Sequence, residues 1–389
     1  TEAAASRRQF LATSALFAGA AAALSAGCQS LGGGSSLAAV KAGKRVPVKD
    51  GEPIRIGIIG TGGQGMSNMR AIMKNVVAVC DVDEKVLEAA EGATGVQGYL
   101  RYEELLAKSD ADVVVLSTPS GLHAPQTVRA AQAGKHVVTE KPMATRWDDG
   151  KRMVAACDDA GVRLFVVKQN RRNATLQLLK KALEQQRFGR IYMVAVNVFW
   201  SRPQSYYDSA KWRGTWEFDG GAFMNQASHY VDLLDWMIGP VESVQAYTAT
   251  LARNIEVEDT GALALRWRSG TLGTMGVTML VYPQNLEGSI TVIGEKGTVR
   301  IGGIAVNEIQ HWVFADKRPE DDKVKEASYQ TTSVYGFGHP LYYENVIATL
   351  RGEAEPETDG REGLRSLELL VAIYQAARDG RKVTLPLEH

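Results

Sequence analysis

Ile54-Arg55-Ile56-Gly57-Ile58-Ile59-Gly60-Thr61-Gly62-Gly63-Gln64-Gly65 is the stretch that decides the fold. Its first half is a short β-branched run, the pattern of a strand buried in a parallel sheet. Its second half spaces glycines as G-x-G-x-x-G at Gly60, Gly62 and Gly65, with Gly63 and Gln64 between the last two. The first glycine permits a tight turn and the second lets backbone approach a pyrophosphate. The third lets the next helix pack on the strand. That helix, over roughly residues 64–73, would aim its N-terminal amides and positive dipole end at the phosphates. A lone glycine motif is weak, but its required context is present. A second apolar strand, Val76-Val77-Ala78-Val79-Cys80, ends in Asp81, about 20 positions beyond the first glycine, where an acid accepts hydrogen bonds from the adenosine ribose. It would repel a phosphate on that ribose, so Asp81 favours NAD over NADP. Asp81 also suits a helix N-cap for residues 84–91, and the two roles are compatible.

Strand and helix go on alternating outward from this unit. Residues 112–117 read as a fourth strand, 123–133 as a helix, 136–139 as a fifth strand, 146–160 as a helix and 162–167 as a sixth strand. A βαβ series with short connections implies a doubly wound parallel sheet over residues 53–170. Ligands in such sheets bind at the carboxyl ends of the strands. Thr118-Pro119-Ser120 and Glu140-Lys141-Pro142 stand at two such ends, where the nicotinamide half of a cofactor belongs.

The pattern changes in residues 171–389. After one amphipathic helix over 174–186, residues 191–200, 241–251, 259–268, 271–280, 286–293 and 298–301 read as strands. Ser269-Gly270 makes a hairpin turn between two of them. A mainly antiparallel sheet with one face on helices follows. Its other face suits pairing with a second subunit. The charged stretch 319–326 reads as a solvated loop, and helices over 340–351 and 362–379 close the chain. The fold class is α/β, with a doubly wound domain followed by an α+β domain.

Lys plus Arg and Asp plus Glu each total 44, so net charge gives no reason to expect nucleic acid or an acidic membrane as partner. Three cysteines build no disulfide framework, and Cys80 and Cys157 read as buried free thiols. Residues 1–50 read as a leader and linker. Ser6-Arg7-Arg8-Gln9-Phe10-Leu11 is a twin-arginine pattern before a run of small apolar residues too short to span a bilayer. Cys28 stands where a lipoprotein processing site would be lipidated, and Gly/Ser-rich residues 29–36 form a tether. Export to the periplasm, with a lipid anchor at Cys28 as an option and no membrane span, is the expectation.

These residues together resemble the Gfo/Idh/MocA family of glucose–fructose oxidoreductases, inositol 2-dehydrogenases and related sugar dehydrogenases. The matching positions are the glycine turn, Thr118-Pro119-Ser120 with His123, Ala133-Gly134-Lys135-His136-Val137, Glu140-Lys141-Pro142, Gly220-Gly221, Asn225, His229 and Asp232. The tract from Lys168-Gln169-Asn170-Arg171 through Trp200–Asp208 to Trp212-Arg213-Gly214-Thr215 is similar to one branch, the UDP-N-acetylglucosaminuronate 3-dehydrogenases of surface-polysaccharide synthesis. The resemblance implies a Rossmann domain, a nicotinamide cofactor, a sugar substrate and a homodimer or homotetramer. It brings Thr118, Pro119, Ser120, His123, Glu140 and Lys141 to the cofactor.

Oxidising a sugar hydroxyl means removing its proton while hydride leaves the same carbon, so an acid–base group must reach that oxygen. Lys141 and His229 are the candidates, and either could be the base. Asn225 cannot take a proton and would align the sugar; it lies four residues before His229 on an expected helix over 223–237. Lys168, Arg171, Arg202, Tyr206, Trp212 and Arg213 are candidates for the substrate pocket, since arginine forks bind carboxylates or phosphates and aromatic faces stack on rings. No metal is expected. The reading that accommodates the leader is an exported enzyme that oxidises a pyranose or pyranoside hydroxyl, at carbon 3, with a tightly held NAD. The alternative is the UDP-sugar dehydrogenase of the similar branch. An NAD-dependent glycosidase and a non-catalytic sugar-binding protein are further alternatives.

Overall fold

The computed structural model describes residues 52–387, so the readings of the leader and of Cys28 lie outside the described residues. In chain order the first domain runs β1 (Ile56–Ile59), α1 (Gly63–Ala71), β2 (Val76–Cys80), α2 (Glu84–Thr94), β3 (Gln97–Tyr99), α3 (Tyr102–Lys108), β4 (Val113–Leu116), α4 (His123–Gln132), β5 (His136–Thr139), α5 (Trp147–Asp159) and β6 (Leu164–Val166). The six strands are parallel in the order β3-β2-β1-β4-β5-β6. Strand order reverses between β1 and β4, so a crevice opens beyond their carboxyl ends, where the glycine turn and Thr118 lie. β1, β4 and β5 are buried along their whole length, as their apolar runs require.

The second domain continues with α6 (Ala174–Glu184), β7 (Ile191–Phe199), α7 (Gln204–Asp208), α8 (Ser228–Ile238), β8 (Val241–Ala249), β9 (Thr260–Trp267), β10 (Leu272–Thr278), β11 (Glu287–Gly294), β12 (Gly297–Gly302), β13 (Glu308–Phe314), α9 (His339–Leu350), α10 (Gly360–Asp379) and β14 (Val383–Thr384). Its sheet has eight strands, not the six expected, because β13 and β14 extend its two edges. Only β7 and β10 pair in parallel. Alternate residues of β7, β9 and β10 are buried, and α8 and α10 pack on that face. On the opposite face Leu272, Met193, Ile293 and Val313 lie in one register row and are all exposed. No helix among the described residues is long and apolar enough to cross a membrane.

Two local expectations need correction. The helix expected over 223–237 is broken: a π turn (Ala222–Gln226) precedes α8, with Ala227 between them. An extra residue in that turn is invisible to a 3.6-residue periodicity. The charged stretch expected as a solvated loop is a 3₁₀ helix (Pro319–Ala327), and one of its acids is inward. Asp321 accepts from Arg187 Nη1 and Nη2 at 2.8 and 2.7 Å and from Trp312 Nε1 at 2.8 Å. The guanidinium lies 4.1 Å over the Phe314 ring, with 3% of the Arg187 side chain and 8% of Asp321 exposed. Asp321→Ala leaves that buried cation half-paired and should cost about 3 kcal/mol. Urea unfolding of the variant checks this; a loss within about 0.5 kcal/mol would mean the pair is solvated after all.

Candidate active site

The dinucleotide cradle follows from sterics. Gly60 adopts φ +86°, and a Cβ there would press on the Ser117 carbonyl carbon at 2.8 Å; a Cβ on Gly65 would collide with the Gly60 carbonyl oxygen. Strand and helix therefore meet closer than any side chain allows. Gly62 is different, since a Cβ on it would meet nothing in the protein within 4 Å. It faces open space at the amino end of α1, where no side chain caps the free amides. That concave, uncapped helix start fits a pyrophosphate.

Asp81 stands beside it. Its carboxylate accepts from Thr61 N at 2.8 Å and from Asp83 N at 3.1 Å, which fixes it at the end of β2 with lone pairs still free. The capping job considered for Asp81 is done by Asp83, which accepts from Lys85 N and Val86 N. Asp81, free of that job, is placed where it would accept from a ribose hydroxyl.

The two loops expected at the nicotinamide are built differently from each other. Thr118 Oγ1 donates to Gln126 at 2.6 Å, and a one-turn helix over Ser120–Leu122 carries Pro119 and Ser120 toward the second domain. There Gly121 N donates to Phe218 O at 3.2 Å. His123 is 1% exposed, and its ring nitrogens lie 2.9 Å from Pro142 O and 2.9 Å from Thr118 O. It fastens these two loops together with both ring nitrogens against backbone carbonyls, so it would shape the cofactor crevice without a nitrogen free to bond the ligand. Glu140 accepts from Gln64 Nε2 at 3.0 Å, Asn68 Nδ2 at 2.9 Å and Lys141 N at 3.2 Å. Gln64 and Glu140 thus brace the cradle against the loop that carries Lys141.

Lys141 Nζ lies 3.1 Å from Asn225 O and 3.2 Å from Asn225 Oδ1. Both partners are acceptors. A neutral amine satisfies both with its two N–H bonds and keeps its lone pair for a third group. Burial pushes the Lys141 pKa below the usual lysine range, opposed by Glu140, Tyr206 and Asp219 and assisted by Arg202. Asn225 is held at both ends, since its Nδ2 donates to Asp219 Oδ1. Its amide therefore orients Lys141, instead of standing free to align a sugar.

His229 is 4% exposed, with Nε2 at 3.0 Å from Gln169 Nε2 and no protein partner for Nδ1. With the Gln169 amide oriented as it is, Nε2 accepts and the proton sits on Nδ1. Burial, then the charges of Lys141 and Lys168, hold its pKa well below the ordinary histidine value. The ring is a neutral donor. Burial favours the neutral, proton-accepting form of His229 as it does that of Lys141, and substitution of Lys141 tells which of the two takes the hydroxyl proton.

Lys168 and Arg171 do not reach the recess with free donors. Arg171 forks onto Asp232 at 2.8 and 2.7 Å and reaches Glu362 at 3.0 Å. Lys168 Nζ donates to Ser366 Oγ at 2.7 Å and lies 3.4 Å from Asp232. Burial opposes the Asp232 charge, yet Arg171 and Lys168 hold its carboxyl well below the usual range. This cluster backs Gln169 and His229. Arg202, Tyr206, Trp212 and Arg213 do come together. The Arg213 guanidinium lies 4.3 Å over Tyr206 and 4.5 Å over Trp212, and its Nη1 donates to Tyr206 Oη at 2.6 Å. The Arg202 guanidinium lies 5.5 Å from the Tyr206 ring centre, donating to Ser201 O and Asn285 Oδ1. Residues missed by sequence reasoning join them: Asp219, Gln169, His339 and Tyr335, whose ring lies 5.9 Å from Lys141 Nζ. Asp219 immediately precedes the Gly220-Gly221 pair, a signal that could have found it; Tyr335 arrives on a distant loop with no such mark.

A Rossmann cradle with an acid at the end of its second strand, opening onto a buried lysine held by an asparagine, is the arrangement of a nicotinamide-dependent oxidoreductase acting on a CH–OH group. Comparison with known proteins carries this further. Residues 54–168 match the oxidoreductase-family NAD-binding Rossmann fold, and residues 180–385 match the family's C-terminal alpha/beta domain. The chain belongs to the Gfo/Idh/MocA oxidoreductase family. It is 63% identical to the WlbA dehydrogenase of Bordetella pertussis, solved with NADH and UDP-GlcNAcA, with 88% of this chain and 100% of that one covered at a TM-score of 0.83. The Chromobacterium violaceum WlbA dehydrogenase, solved with the same ligands, is also 63% identical, with 88% and 99% covered at a TM-score of 0.85. D-apiose dehydrogenase of Paraburkholderia graminis is 27% identical over 330 residues, 80% of this chain and 83% of its own length.

The protein is an NAD-dependent sugar or polyol dehydrogenase. When bound, NAD supplies the hydride acceptor. Glycine turn, α1 amides and Asp81 would hold it, and Lys141 would take the hydroxyl proton. Asp81→Ala should weaken NAD at least tenfold while leaving NADP no weaker, as NADH and NADPH fluorescence titrations would record; equal losses for both would remove Asp81 from the ribose. Lys141→Met should cut turnover by at least about 10³-fold. Because the base form is the neutral amine, wild-type oxidation should rise with pH through a midpoint below 10.5, the ordinary lysine value. A bell centred on a histidine value, persisting in Lys141→Met, would overturn the assignment.

Proposed function

We propose that the protein oxidises UDP-N-acetylglucosaminuronate, converting a ring hydroxyl, at carbon 3, to a ketone with reduction of NAD. The observation that carries this reading is 63% identity, over 88% of the chain, to two dehydrogenases solved with NADH and UDP-GlcNAcA. Chemistry in the recess agrees with it. A nucleotide sugar acid carries two phosphate charges and a carboxylate, and Arg202 and Arg213 flank Tyr206 beside Lys141. Guanidinium forks suit those anions. Neutral pyranosides would offer these two guanidinium groups no charge to pair with.

The reading favoured by the leader, an exported enzyme for simple pyranosides with NAD tightly held, rests on residues 1–50 alone. It stands as the second proposal, because nucleotide sugars are made and used inside cells. Assembly as a dimer or tetramer through the exposed sheet face around Leu272 and Met193 is likewise proposed. One experiment separates the two substrate readings. Purified protein is mixed with NAD and UDP-N-acetylglucosaminuronate, and separately with simple glycosides with no cofactor added, while reduced nicotinamide is followed by absorbance. Reduction with the nucleotide sugar, at least about 100-fold faster than with any glycoside, is expected. Reduction by a simple glycoside from cofactor retained through purification would reverse the order.

A further inference from the structure

A carboxylate that is 1% exposed usually has a cation on it, and Asp219 has none within ion-pair distance among the described residues. Its hydrogen bonds are the Gly214 amide at 2.7 Å on Oδ2 and the Asn225 side-chain amide on Oδ1. Gly220 and Gly221, at φ +88° and +94°, turn the chain directly after it, so that the π turn brings Asn225 back over the carboxylate. Asn225 Oδ1 then faces Lys141 Nζ at 3.2 Å. An amide on its own sits either way round; against an acceptor-only carboxylate, only its NH₂ end can face the acid. The oxygen is thereby committed to the lysine.

We propose that Asp219 is a positioning residue for Lys141, acting through the Asn225 amide to fix the Nζ orientation and lend it negative charge. The proposal rests on the dehydrogenase reading of this site. It gives a role to a buried acid whose other hydrogen bond, from the Gly214 amide, leaves its charge without a cation partner. Without it, the Asn225 amide can rotate and put NH₂ against Nζ, where two donors oppose each other. Other groups bearing on Lys141 are Glu140, Tyr206, Arg202, His229 and His339, with the Tyr335 ring over it. Those bearing on Asp219 are Arg213 and Lys141, with Tyr206, Tyr207, Tyr335 and Tyr374 feeling its charge. None of these donates a hydrogen bond to it.

The test uses Asp219→Asn and the exchange variant Asp219→Asn/Asn225→Asp in the full chain. Two readouts are taken: kinetics with UDP-N-acetylglucosaminuronate and NAD, and the pH dependence of Lys141 acetylation by trace acetic anhydride, which needs no substrate. Asp219→Asn should lower kcat about 10- to 100-fold with KM within about twofold, and lower the Lys141 midpoint by roughly one pH unit. In the exchange variant the carboxylate stands directly on Nζ, so the midpoint should rise above wild type and turnover should return at alkaline pH. Unchanged kcat and midpoint in Asp219→Asn would overturn the proposal. If Asp219→Asn fails to fold, as judged by melting and NADH binding, the exchange variant decides alone: a midpoint not above wild type overturns it. Acetylation shifts as expected in a protein inert toward the nucleotide sugar would support the positioning role and refute the substrate reading.

Discussion

The site depends on one buried carboxylate, Glu140. It sits at the carboxyl end of β5 and collects hydrogen bonds from Gln64 and Asn68 of α1 and from the amide of Lys141. Three donors make a desolvated acid tolerable and at the same time tie α1 to the loop after β5. The helix whose amino end receives the pyrophosphate and the loop that presents the lysine become one rigid unit. A cofactor held by the first would then be kept in register with Lys141 on the second, as near-attack geometry requires. His123 works in the same frame, bridging the backbone of the β4 and β5 loops.

The second domain completes the site from the other side. Lys141 leaves the Rossmann unit and finds its hydrogen-bond partners on the π turn before α8, 84 residues away in sequence. The turn exists because Gly220 and Gly221 allow it and because Glu258 and Tyr374 anchor its amides, with Glu258 Oε1 accepting from Phe223 N at 2.9 Å and Tyr374 Oη from Met224 N at 3.1 Å. α10 carries Tyr374 and also packs on α5 and β6 of the first domain. The C-terminal helix thus couples the sheet domain to the dinucleotide domain at the level of the reacting groups.

What the sequence discloses and what it hides divide along physical lines. β1, β2 and β4 are continuous apolar runs between turn signals, as buried parallel strands are, and β5 buries His136 and Thr139 beside its two valines. β3, Gln97–Tyr99, is a three-residue edge strand interrupted by Gly98, and β13 is an edge strand half polar along its length. Edges are solvated, so their sequences carry little pattern. In the site, Lys141, Asn225 and His229 are legible through their motif, yet their division of labour is not. It is set by which partner each atom meets: two acceptors at Lys141 Nζ, an acid behind Asn225, and burial around His229. Lys168 and Arg171 look like ligand-binding cations on charge alone; only their neighbours Asp232, Glu362 and Ser366 reveal that their charges are already paired within the protein. Asp321, in a run of charges, looks solvated for the same reason in reverse.

The electrostatics of the recess have to serve two states of Lys141. To accept a proton it must be neutral, which burial and the charge of Arg202 favour; once protonated it must be tolerated, which Glu140 and Asp219 favour. On the proposed reading, the incoming nucleotide sugar adds at least three negative charges. Unopposed, these would stabilise the ammonium form and take the base out of action before reaction. Arg202 and Arg213 lie where they would meet such charge first, around Tyr206, and a guanidinium stays charged at any working pH. Substrate affinity and a usable lysine are then two results of the same pairing. The two arginines offset part of the added negative charge, so the occupied recess favours the ammonium form less than the anions alone would.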